Sequence, residues 1–395
     1  MSLLPVAEAQ ARLLALARDL PIERAPFVEA IGRHAAEDIV AGRAQPAADL
    51  SAMDGYAIRF AELPGPWRVV GESRAGAGLD YALAPGEAAR IFTGAPLPAG
   101  ADTVLVQEEA TRDGEVLRLS GEGPALKGYH VRAHGSDFAQ GDILVAAGER
   151  LTPARIALAA MGGHGTVPVP RRPRITIIST GDELIRPGQP GSGLALPASN
   201  GPMLAAMLAG LPAEVRDGGI LPDRLDELTE GFAAAARDAD IIVTTGGASV
   251  GDHDLVRPAL KAAGADMDFW RVRMRPGKPL MAGRLQDAIV LGLPGNPVSA
   301  FVTAFLFLLP LVRRLVGDTA PFPKGERMPL AGPLPKVTER TDFLRGLITP
   351  EGILPLSGQD SAALAMLARA DALIVRAGEA PAAPVGEIVD ILRIA

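Results

Sequence analysis

Apolar and polar positions along this chain change their spacing several times, and each change predicts a different architecture. Near the start, Val6, Leu13, Leu14, Ala17 and Leu20 fall on one side of a helical repeat, so a first helix is expected there. The segment 27–39 predicts a second. From 44 to about 148 the runs shorten. Stretches such as Trp67-Arg68-Val69-Val70 and Thr103-Val104-Leu105-Val106 are broken by Gly and Pro, the texture of an all-β module. Helix returns over 152–161, with Thr152 placed as an N-cap and Pro153 at the first helical position.

Between 173 and 318 the two textures alternate. Ile175-Thr176-Ile177-Ile178, Ile241-Ile242-Val243 and Ile289-Val290-Leu291 are short, β-branched and apolar on both faces, as buried parallel strands are. Helical stretches at 202–210, 225–238 and 255–263 separate them. This is a βαβ layout with a mostly parallel sheet, whose ligands bind at the carboxyl ends of the strands. From 325 onward β texture resumes at 343–344, 352–354, 372–375 and 388–392, which suits a small barrel.

Composition narrows the functional classes. A net charge of −7 and the lack of any dense Lys/Arg run argue against nucleic acid as the main partner. Three Tyr, two Trp and 11 Phe leave few platforms for stacking single strands. With no cysteine, disulfides, thiolate nucleophiles and cysteine-held metal clusters are excluded, and the cytoplasm is the expected compartment. Glu8, Arg12, Arg18 and Asp19 interrupt the N-terminal apolar pattern, so no secretory signal is expected there. The longest apolar run, 298–312, contains Pro310 and falls short of the roughly 20 residues that span a bilayer. It reads as a buried helix or a subunit interface. Gly and Pro number 45 and 35, high enough to expect many short loops.

Each strand of the α/β segment runs into a polar loop. Ser179-Thr180-Gly181-Asp182-Glu183-Leu184 follows the first. Thr244-Thr245-Gly246-Gly247-Ala248-Ser249-Val250-Gly251-Asp252-His253-Asp254 follows the second, and Gly292-Leu293-Pro294-Gly295-Asn296-Pro297-Val298-Ser299 the third. Strand, glycine loop and helix present backbone N–H groups at a positive helix end, where an anion can sit, and nearby aspartates suit a hard cation. Taken singly, each loop is equally a tight turn or a helix cap. Three converging on one sheet edge point to a small-molecule site. In the last loop Asn296 is placed as an N-cap and Pro297 at N1. Met274-Arg275-Pro276-Gly277-Lys278-Pro279 sets two cations around a turn, suited to an oxyanion or to an ordinary basic surface. The β module carries Ser51-Ala52-Met53-Asp54-Gly55-Tyr56-Ala57, Phe92-Thr93-Gly94-Ala95, Gln107-Glu108-Glu109 and Arg132-Ala133-His134-Gly135-Ser136-Asp137. For its carboxylates an Asx-turn and a ligand role stand equal. His130 and His134 are four apart, but Gly128 and Gly135 oppose a helix there and no third ligand is evident.

These motifs, in this order, resemble the MoeA family of molybdopterin molybdenumtransferases and the E domain of gephyrin. The resemblance runs over essentially the whole chain. It implies a multidomain α/β-plus-β fold: a discontinuous helical unit at 1–44 and 141–172, a β-rich domain at 45–140, a molybdopterin-binding α/β domain at 173–320 and a C-terminal barrel at 321–395. It also implies insertion of molybdate into adenylylated molybdopterin with release of AMP, support by Mg²⁺, and a homodimer whose site lies between subunits. The molybdopterin adenylyltransferase is then an expected partner. Carried over position by position, Asp54, Thr93, Asp137, Glu183, Asp254 and Lys278 would be the catalytic set, with Glu183 and Asp254 toward the metal. Gly246, Gly247, Ser249 and Gly251 would cradle the pterin phosphate or adenylate. Arg275, where relatives often have Lys, would hold oxyanion beside Lys278. Arg132, Asn200, Pro294, Gly295, Asn296, Pro297 and Ser361 would complete the substrate contacts, Ser361 in an Asp360-Ser361-Ala362 stretch that departs from the usual Gly-Ser-Gly. Three rival readings share parts of the pattern: the adenylyltransferase itself, which lacks the flanking modules, a gephyrin-like scaffold, and a tungstate-selective paralogue.

Overall fold

The three apolar strands expected between 173 and 318 lie in the middle of a six-stranded sheet. Its order is Glu214–Leu221, Arg174–Thr180, Ile241–Thr245, Ala288–Leu293, Pro279–Leu285 and Asp266–Arg271. The first four are mutually parallel, and the last two pairings are antiparallel, so only Pro279–Leu285 runs against the rest. The structure is a computed structural model and describes residues 3–246 and 255–394.

The central strands are apolar on both faces because both are covered. Ile241, Val243, Ile289 and Leu291 point into one core, which the helix Asn200–Leu208 and the long C-terminal helix of the unit also fill. Ile242 and Val290 point the other way, against the helices Leu225–Ala236 and Val256–Ala262. The strand Glu214–Leu221 escaped the sequence pattern. It is a sheet edge carrying Glu214, Arg216 and Asp217 on largely exposed positions, and such charge discourages pairing with another chain.

The apolar run is longer than 298–312. It forms a continuous helix, Pro297–Leu315, of 19 residues and mean hydropathy 1.8, and 83% of its most apolar stretch is buried in the protein. It is a core element. Pro310 has no N–H to offer the Leu306 carbonyl four residues earlier, and the helix widens to a π turn over Ala304–Leu308. The side chain of Gln10 donates to that same carbonyl at 2.8 Å. Gln10 lies on the first helix, Val6–Leu14, whose Ala9 and Leu13 enter the α/β core.

The second helix expected over 27–39 is a correction. Only one turn forms, Phe27–Ala30, and the chain then reverses through Gly32 at φ +80°. Ile39–Val40 is a strand paired with Ile143–Val145, and Ile22–Pro26 pairs with Thr166–Pro170. Ala30, Ala35 and Ile39 do enter a shared core, but from a single turn, a loop and a strand rather than from one helix face, while Val28 is 82% exposed. The helix Pro153–Met161 forms as expected, with Thr152 Oγ1 accepting from Arg155 N at 3.4 Å.

The β module is a six-stranded sheet in the order Thr103–Val106, Gly55–Ile58, Glu87–Ile91, Trp67–Ser73, Val116–Leu119 and Ala110–Asp113, around Tyr56, Ile58, Trp67 and Leu105. Thr341–Thr349, Ala372–Arg376, Ile388–Arg393 and Gly325–Pro329 pair in succession near the C-terminus, while Gly352–Pro355 pairs with the first of them. A bridge from Leu330 to Ile353 links the outer strands and closes the ring into the expected barrel.

Candidate functional site

Three parallel strands end side by side, and their loops enclose a cavity of about 780 Å³. Thr180, Glu183, Asn200, Gly246, Pro294, Gly295, Asn296 and Pro297 all line it, as do Ser179, Thr245 and Asp223. The volume is ample for a pterin or a nucleotide. Gly246 sits at φ +99°, and a Cβ there would lie 2.7 Å from both the carbonyl and the hydroxyl oxygen of Thr180. Only glycine lets these loops close so tightly. Asn200 opens its helix at the cavity wall. Its Nδ2 donates to the Gly295 carbonyl at 2.8 Å, which fixes the amide, and its buried Oδ1 has no partner among the described residues. That oxygen is an open acceptor for a ligand N–H or O–H.

Glu183 follows the strand Arg174–Thr180, and Asp182 accepts from the Asp223 backbone N–H at 3.1 Å. Burial pushes the Asp223 carboxyl above its usual range, and the charges of Asp182 and Glu183 push it the same way. Crowded carboxylates at the edge of this cavity suit a hard divalent cation. Among the described residues no three His, Asp or Glu side chains converge as a complete ligand set. Mg²⁺ commonly uses one or two protein carboxylates with phosphate oxygens and water, so the donors present fit it. Gly247, Ser249, Gly251 and Asp254 lie outside the described residues.

A second cavity, about 550 Å³, adjoins the first and shares Pro279 with it. Arg275, Lys278 and Arg340 line it together with Ser299, Asp360 and Ser361. Arg275 is held by the barrel, paired opposite Asp342, whereas Pro279 starts a strand of the α/β sheet. Gly277 makes the turn between them at φ +95°, where a Cβ would meet Thr303 Cγ2 at 2.5 Å. The cations thus stand at the junction of two units. Burial raises the Asp342 carboxyl, and Arg275 and Arg340 oppose that rise.

The N-cap placement expected at Asn296 is borne out, although its side chain does other work. The residue occupies that position, with Pro297 at N1, but its side chain caps no backbone N–H. Its Nδ2 donates instead to Ser361 Oγ at 3.1 Å, and Val298 N donates to the Ser361 carbonyl at 3.1 Å. Buried Arg345 holds the same barrel loop through the carbonyls of Gly358 and Asp360 at 2.8 and 3.1 Å. Ser361 therefore enters the site by tying the barrel to the strand-end loop.

Asp54, Thr93, Arg132 and Asp137 line neither cavity. Asp54 and Thr93 do meet: the Thr93 N–H and hydroxyl both donate to Asp54 Oδ1, at 2.7 and 2.8 Å. The Thr93 backbone bond, then its hydroxyl, hold the Asp54 carboxyl below the usual range, with the Arg90 guanidinium adding to the effect. Arg132 is on a strand paired with Leu50–Ser51, close by in the fold. Asp137 is on the surface beside Phe138 and Asp142. His130 sits at φ +61° with its ring edge-on to Tyr129, in no helix, so the His130/His134 pair forms no metal site among the described residues.

Asp223 and Arg340 were missed from sequence. Asp223 follows the edge strand that polar residues concealed. Had Glu214–Leu221 been recognised, the strand-end rule would have pointed to Asp223.

Known proteins match this chain along its length. The family described as "MoeA N-terminal region (domain I and II)" matches residues 4–163, "Probable molybdopterin binding domain" residues 176–314, and "MoeA C-terminal region (domain IV)" residues 327–394. A molybdopterin molybdenumtransferase of Bacillus subtilis is 32% identical over 99% of this chain and 94% of its own. One from Haemophilus influenzae is 36% identical over 76% and 77%. A crystal structure titled as the molybdopterin biosynthesis MoeA protein of Pyrococcus horikoshii superposes with a TM-score of 0.89 at 28% identity, covering all of both chains. The order of the modules, the paired cavities at the strand ends and these matches place the chain in the MoeA family of molybdopterin molybdenumtransferases.

Proposed function

We propose that this chain inserts molybdate into the dithiolene of adenylylated molybdopterin and releases AMP, completing molybdenum cofactor synthesis. One observation carries the reading. A roomy cavity rich in hydrogen-bonding groups opens beside a smaller, cation-lined one at the same strand ends. The larger suits a pterin–nucleotide, with Asn200 Oδ1 accepting from it and Gly246 and Gly295 allowing close backbone approach. The smaller suits a tetrahedral dianion. Arg275, Lys278 and Arg340 offset its charge, and Ser299 and Ser361 offer hydroxyls. Holding both substrates side by side supplies the orientation that joining them requires. Mg²⁺ held at Glu183, with Asp254 expected beside it, would polarise the phosphoanhydride.

Asp54 and Thr93 belong to the β module and line neither cavity, so we assign the chain a homodimeric assembly in which one copy's β module completes the other's cleft. The deciding experiment is AMP release from adenylylated molybdopterin with and without molybdate. Release that depends on molybdate and falls in Lys278→Ala is expected. Release indifferent to molybdate, or none, sinks the proposal. Running tungstate in parallel reads oxyanion preference, and light scattering reads the dimer.

A further inference from the structure

Arg90 lies half-exposed on the strand Glu87–Ile91, outside both cavities and outside the apolar cluster of its own sheet. Its guanidinium nonetheless makes two hydrogen bonds and two ring contacts. Nη1 donates to the Gly55 carbonyl at 3.0 Å and Nη2 to Gln107 Oε1 at 2.6 Å. Its Cζ lies 5.2 Å from the centre of the Tyr56 ring and 4.8 Å from that of Phe92. Tyr56 is its cross-strand partner, so ring and guanidinium meet because of the sheet register.

These contacts surround one carboxylate. Gly55 and Tyr56 follow Asp54 directly. Phe92 precedes Thr93, whose N–H and hydroxyl hold Asp54 Oδ1. Gln107 donates its own backbone N–H to the Asp54 carbonyl at 3.1 Å. Arg90 thus joins all three chain segments that meet at Asp54. An apolar residue could bridge no two acceptors. A lysine could offer a point charge but neither the fork nor the flat stacking surface.

We infer that Arg90 is a positioning residue that locks the Asp54–Thr93 pair in the geometry it presents to substrate. The inference rests on the assignment of Asp54 to the reaction made above. Arg90 itself touches no substrate and acts through the turn it holds. Because Arg90 is half-exposed and meets the apolar cluster only at the Tyr56 ring, its removal should loosen the turn and leave the sheet folded.

The test uses the full-length protein and the Arg90→Ala variant, with Arg90→Lys beside it. Truncation leaves a gap between Tyr56 and Phe92 that free guanidinium can enter. In R90A, amide hydrogen exchange at Thr93 should quicken at least about tenfold while core amides keep their rates and the melting temperature stays near wild type. Millimolar guanidinium should restore the Thr93 rate, and ammonium should not. Molybdate-dependent AMP release should show kcat reduced about tenfold or more with KM for molybdate unchanged, since the cations of the second cavity are untouched. R90K should fall between wild type and R90A. An unchanged Thr93 exchange rate in R90A, or slowing by ammonium as good as by guanidinium, overturns the inference. So does a raised KM for molybdate at wild-type kcat. If the wild-type protein released no AMP at all, the functional reading would fall, while Thr93 exchange would still decide for or against Arg90.

Discussion

Replacing Gly246 with Ala tests whether the strand-end loops close as tightly as the site requires. Gly246 adopts φ +99°, a conformation that costs a side-chain-bearing residue about 1–2 kcal/mol. The new Cβ would also stand 2.7 Å from two oxygens of Thr180, one of them backbone at the end of a central strand. Real contacts of that kind lie above 3.0 Å, so the Thr180 strand end must shift by a few tenths of an ångström. It has little room, because Gly246 N also donates to the Leu293 carbonyl at 3.3 Å and Gly295 packs close on its other side. Overpacking of a filled site typically costs about 1–3 kcal/mol, so G246A should lose about 2–5 kcal/mol in all. Gly76 is the internal control. It has φ +75° with open space where a Cβ would go, so G76A should lose only the conformational part, about 1–2 kcal/mol. Urea unfolding of both variants, followed by circular dichroism, gives the comparison, and calorimetric titration with AMP gives the effect on the cavity. G246A should bind AMP more weakly, whereas G76A should bind it as wild type does. If G246A lost no more stability than G76A, the close approach to Thr180 would be wrong.

Asp223→Asn keeps the backbone bond to Asp182 and removes one of three crowded carboxylates. It should raise the melting temperature at pH 7 without divalent cation and blunt the further rise on adding Mg²⁺; the opposite pair of shifts would remove Asp223 from the cation's surroundings. Asp240 is paired with Arg171 at 2.6 and 2.7 Å and accepts from Arg174 N at 2.7 Å. Burial alone would raise this carboxyl, but those hydrogen bonds hold it below its ordinary value. A depressed carboxylate stabilises the fold above its unfolded pKa of about 3.9, and loses that contribution as pH falls through the folded value. The stability difference between wild type and Asp240→Asn should therefore be level from pH 5 to 8 and shrink below about pH 4; a difference that grows in acid contradicts the pairing. Gln10→Leu should cost about 1 kcal/mol by removing the donor to the Leu306 carbonyl beside Pro310, read as a lower thermal midpoint. An unshifted midpoint would mean the π turn satisfies that carbonyl unaided.

Much of this protein was legible in its sequence, and the reason is local. A strand covered on both faces must be apolar at every position, so Ile241-Ile242-Val243 could be little else. The loops after such strands have a fixed place at the sheet's carboxyl edge, so Thr180, Gly246 and Gly295 could be brought together before any coordinates. Thr152-Pro153 capped its helix as written, because a cap is decided within four residues. What failed depended on partners distant in sequence. Residues 27–39 carried helical spacing, yet Ala30, Ala35 and Ile39 reach their core from a single turn, a loop and a strand. Glu214–Leu221 hid as an edge strand whose charges answer to solvent, and Asp223 was lost with it. Asn296 was placed correctly, yet its side chain turned to Ser361, 65 residues on, because the barrel packs there. Arg90 gave no signal at all: its worth comes from Gly55, Gln107 and two rings that only the sheet register assembles. Periodicity and caps are properties of neighbouring residues, and the chain alone determined those. Which distant side chain completes a hydrogen bond or a cavity wall depends on how separate units pack, and only the tertiary structure decided that.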